Sequence, residues 1–173
     1  MVRESDGVNE LVYRRGAAAD VARCVSLWVE ACAARDGRAV PGVADRARPK
    51  FDRAESWIVA ERRDAGIVGF VLATVPGSGL PSDPPDAPVV GLLAVAPGAQ
   101  RGGVGADLLS NMAADLTRGR HTCAVLHVLA DNHPAVRLYA SQGWRPLGEP
   151  FQHSLLNRPT QTYMLRLTPP SRG

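Results

Sequence analysis

The feature that most limits how this chain can fold is a single change of periodicity between Val89 and Leu116. Val89 to Val95 is a short, uninterrupted apolar run of the kind that fills a buried strand, and Pro97-Gly98 stops it. Beyond Gln100, Arg101, Gly102 and Gly103, apolar residues return at helical spacing, at Val104, Leu108, Met112 and Leu116. A strand therefore passes into a helix through a glycine-rich turn, which commits the chain to an α/β architecture.

The first turn of such a helix carries N–H groups without partners and roughly half a positive charge, so it suits a phosphate. Glycine lets the main chain approach an anion, and Arg101 can add a charge-assisted bond. A tight strand-to-helix turn with no ligand would use the same glycines. Two familiar phosphate loops do not fit. A Walker loop needs Gly-Lys before Ser or Thr, and no Lys lies in this stretch; a dinucleotide loop needs a third glycine where Leu108 stands.

At 173 residues the chain suffices for one domain with a sizeable core, expected over residues 10–168, with a loose polar start at 1–9 and a short tail at 169–173. Lys plus Arg number 20 against 17 Asp plus Glu; the excess of +3 is small and dispersed, which argues against a nucleic-acid partner. Lys50 is the sole lysine, a bias read as genome composition. Cys24, Cys32 and Cys123 have no Cys-x-x-Cys spacing, so buried thiols and a reducing, cytoplasmic setting are expected. The first residues lack the apolar core of a signal peptide, and no apolar run approaches membrane-spanning length.

Leu11 to Arg14 reads as a first strand. Val21, Val25, Trp28 and Cys32 mark an amphipathic helix that Gly37 closes; either Asp20 caps it or Ala17 to Ala19 are already helical. Val43 to Phe51 keeps helical character between Pro41-Gly42 and the interrupting Pro49. Trp57 to Glu61 and Ile67 to Val75 form a hairpin. Pro76 to Pro88 is then too rich in Pro and Gly for a regular element and reads as a long loop free to move. Cys123 to Leu129 is another buried strand, and Asn132-His133-Pro134 opens a helix that runs to Gly143. Trp144 to Leu147 and Tyr163 to Leu167 supply the last strands. His121, His127, His133 and His153 share no metal-ligand spacing, so no metal is assigned.

Two of these blocks resemble the GNAT superfamily of acyl-CoA-dependent N-acyltransferases. Gln100-x-x-Gly103-x-Gly105, after Leu93-Ala94-Val95 and Pro97, is similar to that family's acyl-CoA loop; Leu126-x-Val128, Asn132, Ala135, Leu138-Tyr139 and Gly143-Trp144 resemble its later strand, helix and Gly-aromatic turn. The resemblance implies a mixed, twisted sheet of about six to seven strands with about four helices. It also implies acetyl-CoA as cosubstrate, with the N–H groups of Arg101, Gly102, Gly103, Val104, Gly105 and Ala106 on its diphosphate. Leu93, Ala94 and Val95 would take the pantetheine arm, and the Val95 N–H the thioester oxygen.

By the same resemblance Tyr139 is the general acid; a core tyrosine is the alternative. Asn132 contacts the cofactor, caps its helix, or does both. The Glu that many relatives carry before the loop is missing from Val89 to Val95. In the branch that acetylates protein N-termini a Glu lies five residues before the Asn, and the matching position is His127, a base or a half-exposed strand residue. The implied reaction is acetyl transfer to a primary amine of a small molecule or protein, with a homodimer admitted and neither membrane nor nucleic acid as partner. Glu30, Asp36, Glu55, Asp83 and Asp86 are either solvated charges or acceptor-selecting ones. The competing reading is a non-catalytic acyl-CoA-binding module, which would keep Gln100 to Gly105 and have no need of Tyr139.

Overall fold

The computed structural model describes residues 10–169; the start expected to be loose, at 1–9, and the tail beyond Pro169 lie outside the described residues. Within them one sheet holds seven strands: β1 (Leu11–Arg15), β2 (Ala54–Arg62), β3 (Gly66–Thr74), β4 (Val89–Val95), β5 (Cys123–Leu129), β6 (Arg145–Gln152) and β7 (Pro159–Arg166). Four α-helices accompany it, α1 (Val21–Asp36), α2 (Val43–Phe51), α3 (Val104–Arg118) and α4 (His133–Ser141), with 3-10 turns at Ala18–Asp20 and Pro97–Gly102. The strand order is β1-β2-β3-β4-β5-β7-β6. Every neighbouring pair is antiparallel except β4 and β5, which are parallel because α3 crosses between them.

Apolar periodicity decides which helix covers which face. Val104, Leu108, Met112 and Leu116 of α3 are at most 2% exposed and pack with Val71, Ala73, Val90 and Leu126 on one face of the sheet. On the other face, Cys24, Val25 and Leu27 of α1 and Ala47 and Phe51 of α2 meet Val59, Phe70, Leu72, Leu92 and Ala94. A fully buried Leu or Met contributes about 1.5–3 kcal/mol, so cover on both sides fixes the register of the central strands. Pro49 is tolerated inside α2 because it is exposed and lies two residues from the helix end.

Some details depart from the sequence reading. The Asp20 carboxylate accepts the Ala17 N–H at 2.8 Å and bonds Arg14, so it serves the 3-10 turn ahead of α1 and does not cap the helix. The last two strands are longer than expected; Pro146 and Pro150 are accommodated because β6 is the edge of the sheet. The stretch from Pro76 to Pro88 carries turns of its own. Asp83 and Leu80 bond each other twice, Ala87 donates to the Pro84 carbonyl, and Ala87 is fully buried.

The feature that positions the site is a bulge. Leu72 faces Leu92 and Ala73 faces Val90, which leaves Gly91 as the extra residue on β4. From there the parallel pair comes apart: β4 and β5 match only at Val89 with Val125 and Val90 with Leu126.

Candidate active site

Past Val90 the two central strands enclose a gap. Ala96 donates its N–H to the Val68 carbonyl on β3, so by alternation the N–H groups of Val95 and Leu93 turn the other way, toward the gap. On β5, Val125 donates toward β4, to the Pro88 carbonyl, and the same alternation turns the backbone of His127 and Leu129 into the gap. The N–H groups of Leu93 and Val95 face the β5 edge across the gap, while the Val95 and Leu129 carbonyls are taken by the Gln100 side chain and the Asn132 N–H. A ligand with an extended, amide-bearing arm can lie between the two strands.

At the far end of β4 the chain enters the Pro97–Gly102 turn, whose Gln100 side chain donates to the Val95 carbonyl at 3.2 Å and ties the loop to the strand. Gly103 has φ of 74°, a left-handed value that favours glycine, and caps α3 without any side-chain bond to its amides. Its carbonyl accepts from Asp107, so the N–H groups of Val104, Gly105 and Ala106 have no acceptor within the helix. A Cβ on Gly105 would stand 3.2 Å from Leu138 of α4 and 4.0 Å from Val95, which would narrow the space beside those amides. An anion of phosphate type fits this helix end.

Asn132 occupies the cap position of α4, yet its side chain makes no capping bond. One and two turns on, Ala135 and Tyr139 follow. The Tyr139 ring stands edge-on to Trp144 at 6.1 Å between centroids, and burial pushes its phenol up to about 12. The phenol therefore stays protonated through the ordinary pH range, with its proton available to donate.

His127 lies one step beyond the last β4–β5 pair, on the strand facing Gly91. Its Nε2 is 3.0 Å from Oδ1 of Asp83, whose carboxylate is 6% exposed and accepts the Leu80 N–H with its other oxygen. The imidazole is thus held by a carboxylate from the 76–88 segment, the contact that sequence reasoning missed: 44 positions separate the two residues, and only the folded path of the segment joins them.

A single cleft of about 1320 Å³ is lined by Leu93, Ala94, Val95, Gln100, Gly103, Gly105, Ala106, His127, Asn132 and Tyr139. Three of the expected cofactor residues are placed apart from the other lining side chains. Arg101 and Gly102 are exposed and outside the lining, and the Val104 side chain is core, leaving only its backbone N–H for a ligand. Of the acids weighed from the sequence, Asp36 lines the cleft but is bonded to Arg35 and Arg158, Glu55 pairs with His121 elsewhere, and Glu30 pairs with Arg23. Among the described residues no three His, Cys, Asp or Glu side chains gather as a metal site would require.

The acetyltransferase (GNAT) family model matches residues 23–144. In fold the chain is similar to a chain of the NatC complex bound to Gag peptide and CoA, with TM-score 0.73 and 17% identity over 92% of this chain and 99% of that one. It is similar to the ribosomal-protein-S18-alanine N-acetyltransferase of Escherichia coli, with TM-score 0.68 and 18% identity over 92% and 95%. The Salmonella typhimurium protein yncA, solved with its cofactor acetyl-CoA, gives TM-score 0.70 and 18% identity over 92% and 95%. No curated protein matches the sequence. Identities this low speak for the fold and leave the acceptor to the cleft itself.

Proposed function

Because this chain belongs to the GNAT family of acetyltransferases, we propose that it moves an acetyl group from acetyl-CoA to a primary amine by direct attack in a ternary complex. The observation that carries this reading is the opening of β4 from β5 directly ahead of an uncapped helix N-terminus. The cleft fits the donor: the free amides of Val104, Gly105 and Ala106 suit its diphosphate, the gap edges suit its pantetheine arm, and Asn132 offers an uncommitted amide. When bound, acetyl-CoA supplies an acyl carbon activated by its thioester.

The protein's share is polarisation and proton management. The Val95 N–H, turned into the gap, donates to the acyl oxygen; one such oriented donor is worth roughly 2.7–4 kcal/mol in an oxyanion hole. His127, oriented by Asp83, takes a proton from the incoming ammonium, directly or through water. As the amine nitrogen bonds the acyl carbon and the carbon–sulfur bond breaks, Tyr139 gives its proton to the departing sulfur; the second proton on nitrogen, lost as the amide forms, passes through water to restore the Tyr139 phenol, and the proton held by His127 leaves to solvent. Direct attack is favoured over an acyl-enzyme because burial pushes the Cys24 thiol up to about 12 and raises Cys32 and Cys123 as well, leaving no ready thiolate.

The test has two stages. Acetyl-CoA should raise the melting temperature of the protein, and a panel of amines should then release free thiol, read with a chromogenic disulfide. Absence of any shift with acetyl-CoA or CoA overturns the reading. A clear shift with no thiol release across the panel would favour the non-catalytic acyl-CoA-binding module.

A further inference from the structure

The sole lysine of the chain is not on the surface in the ordinary way. Lys50 projects from α2 over the bulged Gly91, where a Cβ would come within 3.3 Å of its Nζ and 3.4 Å of its Cδ. Without a side chain at the bulge, Lys50 lies directly against β4; a Cβ there would make it give by a few tenths of an ångström. The Lys50 ammonium has no hydrogen bond or ion pair among the described residues, and it lines the cleft. Its pKa is lowered, by burial first and then by Arg46 one helical turn away. Like charges four residues apart on a helix repel, so this pair is a standing cost in the absence of an anion.

The charge around it has one sign. The Lys and Arg side chains that line the cleft are Arg35, Arg46, Lys50, Arg53 and Arg158, against Asp36 and Asp131, an excess of three positive charges (five less two). Both acids are already bonded to Arg158, and Asp36 also to Arg35. His153 senses the same field: its pKa is lowered by burial first and then by Arg35, Arg46, Arg158 and His127.

These cations are not placed for the phosphates of the donor. α2 packs on the sheet face with Phe70, Leu72, Leu92 and Ala94, whereas α3, whose N-terminus is the phosphate site, packs on the opposite face. Lys50 instead overlies Gly91, and His127 is the next residue on β5 across the opening gap.

Resting on the reading of this gap as the acetyl-CoA site, we propose that Lys50, supported by Arg46, anchors a carboxylate of the acceptor, so that the acceptor is a free amino acid and not a polyamine or a peptide N-terminus. The anchored carboxylate over Gly91 leaves the amine of the same small molecule to reach toward His127 and the gap. A polycation would meet an uncompensated lysine, and a peptide N-terminus would bring an amide where the site offers an ammonium.

The experiment uses the full chain and a matched panel: the proteinogenic L-amino acids, β-alanine and γ-aminobutyrate, each beside its own carboxamide, with aminomethylphosphonate as a phosphonate arm. At least one acid should be acetylated with kcat/KM tenfold or more above its amide. Lys50→Met should remove tenfold or more of kcat/KM for that acid, through KM, while the amide rate stays within twofold; Lys50→Arg should recover part of the loss. A stronger signal from the phosphonate than from any carboxylate would replace carboxylate by phosphonate as the anchored group. Amides that match or exceed their acids, an acid panel wholly without turnover, or a Lys50→Met loss equal on both forms would overturn the proposal. The acetyl-CoA thermal shift of Lys50→Met, expected unchanged, separates this failure from failure of the donor site, which would abolish the shift in the wild type too.

Discussion

Tyr139→Phe removes one oxygen and little else, and the structure allows its consequences to be worked out separately for stability, binding and rate. The phenol has no hydrogen-bond partner among the described residues, since burial alone accounts for its raised pKa. The ring, edge-on to Trp144, is kept by Phe. Loss of the hydroxyl should then change stability by no more than about 0.5 kcal/mol, a melting shift of roughly 1–2 °C for a chain of this size. The proposed donor site is built of backbone amides of α3 and the strand edges, so the acetyl-CoA dissociation constant should stay within about twofold. The rate should not survive: a positioned general acid contributes about 10²–10⁴-fold, or roughly 2.7–5.4 kcal/mol of barrier. The assay is thiol release at saturating acceptor and donor across pH 6 to 10. With the phenol at about 12, the wild type should show no alkaline loss of kcat from Tyr139 in that range. A variant that keeps a fifth or more of wild-type kcat refutes the acid assignment. A variant that melts several degrees lower and binds acetyl-CoA more weakly identifies Tyr139 as a core residue.

His127→Gln should lower kcat by about 10²–10⁴-fold with acetyl-CoA affinity retained, and Asp83→Asn, which keeps an oxygen for the Leu80 N–H but turns an amide toward the ring, by about tenfold or more; steady-state kinetics at saturating donor decides, and a wild-type rate in either variant removes that residue from the proton path. Gly105→Val crowds Leu138 and Val95 beside the free amides and should weaken acetyl-CoA by tenfold or more in calorimetry, whereas Ser at the exposed Gly98, whose Cβ would meet nothing within 4 Å, should leave it unchanged. Asp115 is buried and its pKa is lowered: burial pushes it up, but the hydroxyl of Ser56 and the guanidinium of Arg15 outweigh that. A depressed carboxyl adds stability that is complete above the ordinary carboxylate range and lost as pH falls through its folded value. Asp115→Ala should therefore cost about 1–3 kcal/mol at pH 7, chiefly by stranding the buried Ser56 hydroxyl, and the gap to wild type in urea unfolding should shrink below about pH 4.

How much of this was legible beforehand follows from the range of the interactions. The order of strands and helices was readable because each element declares itself through a local apolar period, as α3 does with Val104, Leu108, Met112 and Leu116. The place of the glycine-rich turn between β4 and α3 was readable for a similar reason, since the break in apolar period marks it locally. The bulge at Gly91 was not, because nothing in Val89 to Val95 says that Leu72 and Ala73 on β3 will skip a residue. Nor was the Asp83 contact, which needs a proline-rich segment to fold back on β5. Lys50 is an intermediate case: its uniqueness was plain in the composition, but its burial against β4 is a property of α2 packing and was invisible there.

The two halves of the cleft therefore answer to different constraints. On the proposed donor side the groups are amides of Val95, Val104, Gly105 and Ala106, whose positions follow from backbone geometry and tolerate most side-chain change provided the glycines stay small. On the proposed acceptor side they are side chains from α1, α2, β5 and the 76–88 segment, which converge only through tertiary packing. Gly91 joins the two, since its bulge both parts β4 from β5 and makes room for Lys50. Filling that position with Val would press on Lys50 at 3.3 Å without touching the α3 amides, so it should alter acceptor choice while sparing acetyl-CoA affinity. Loss of both together would mean that the bulge itself requires glycine and that the halves are not separable.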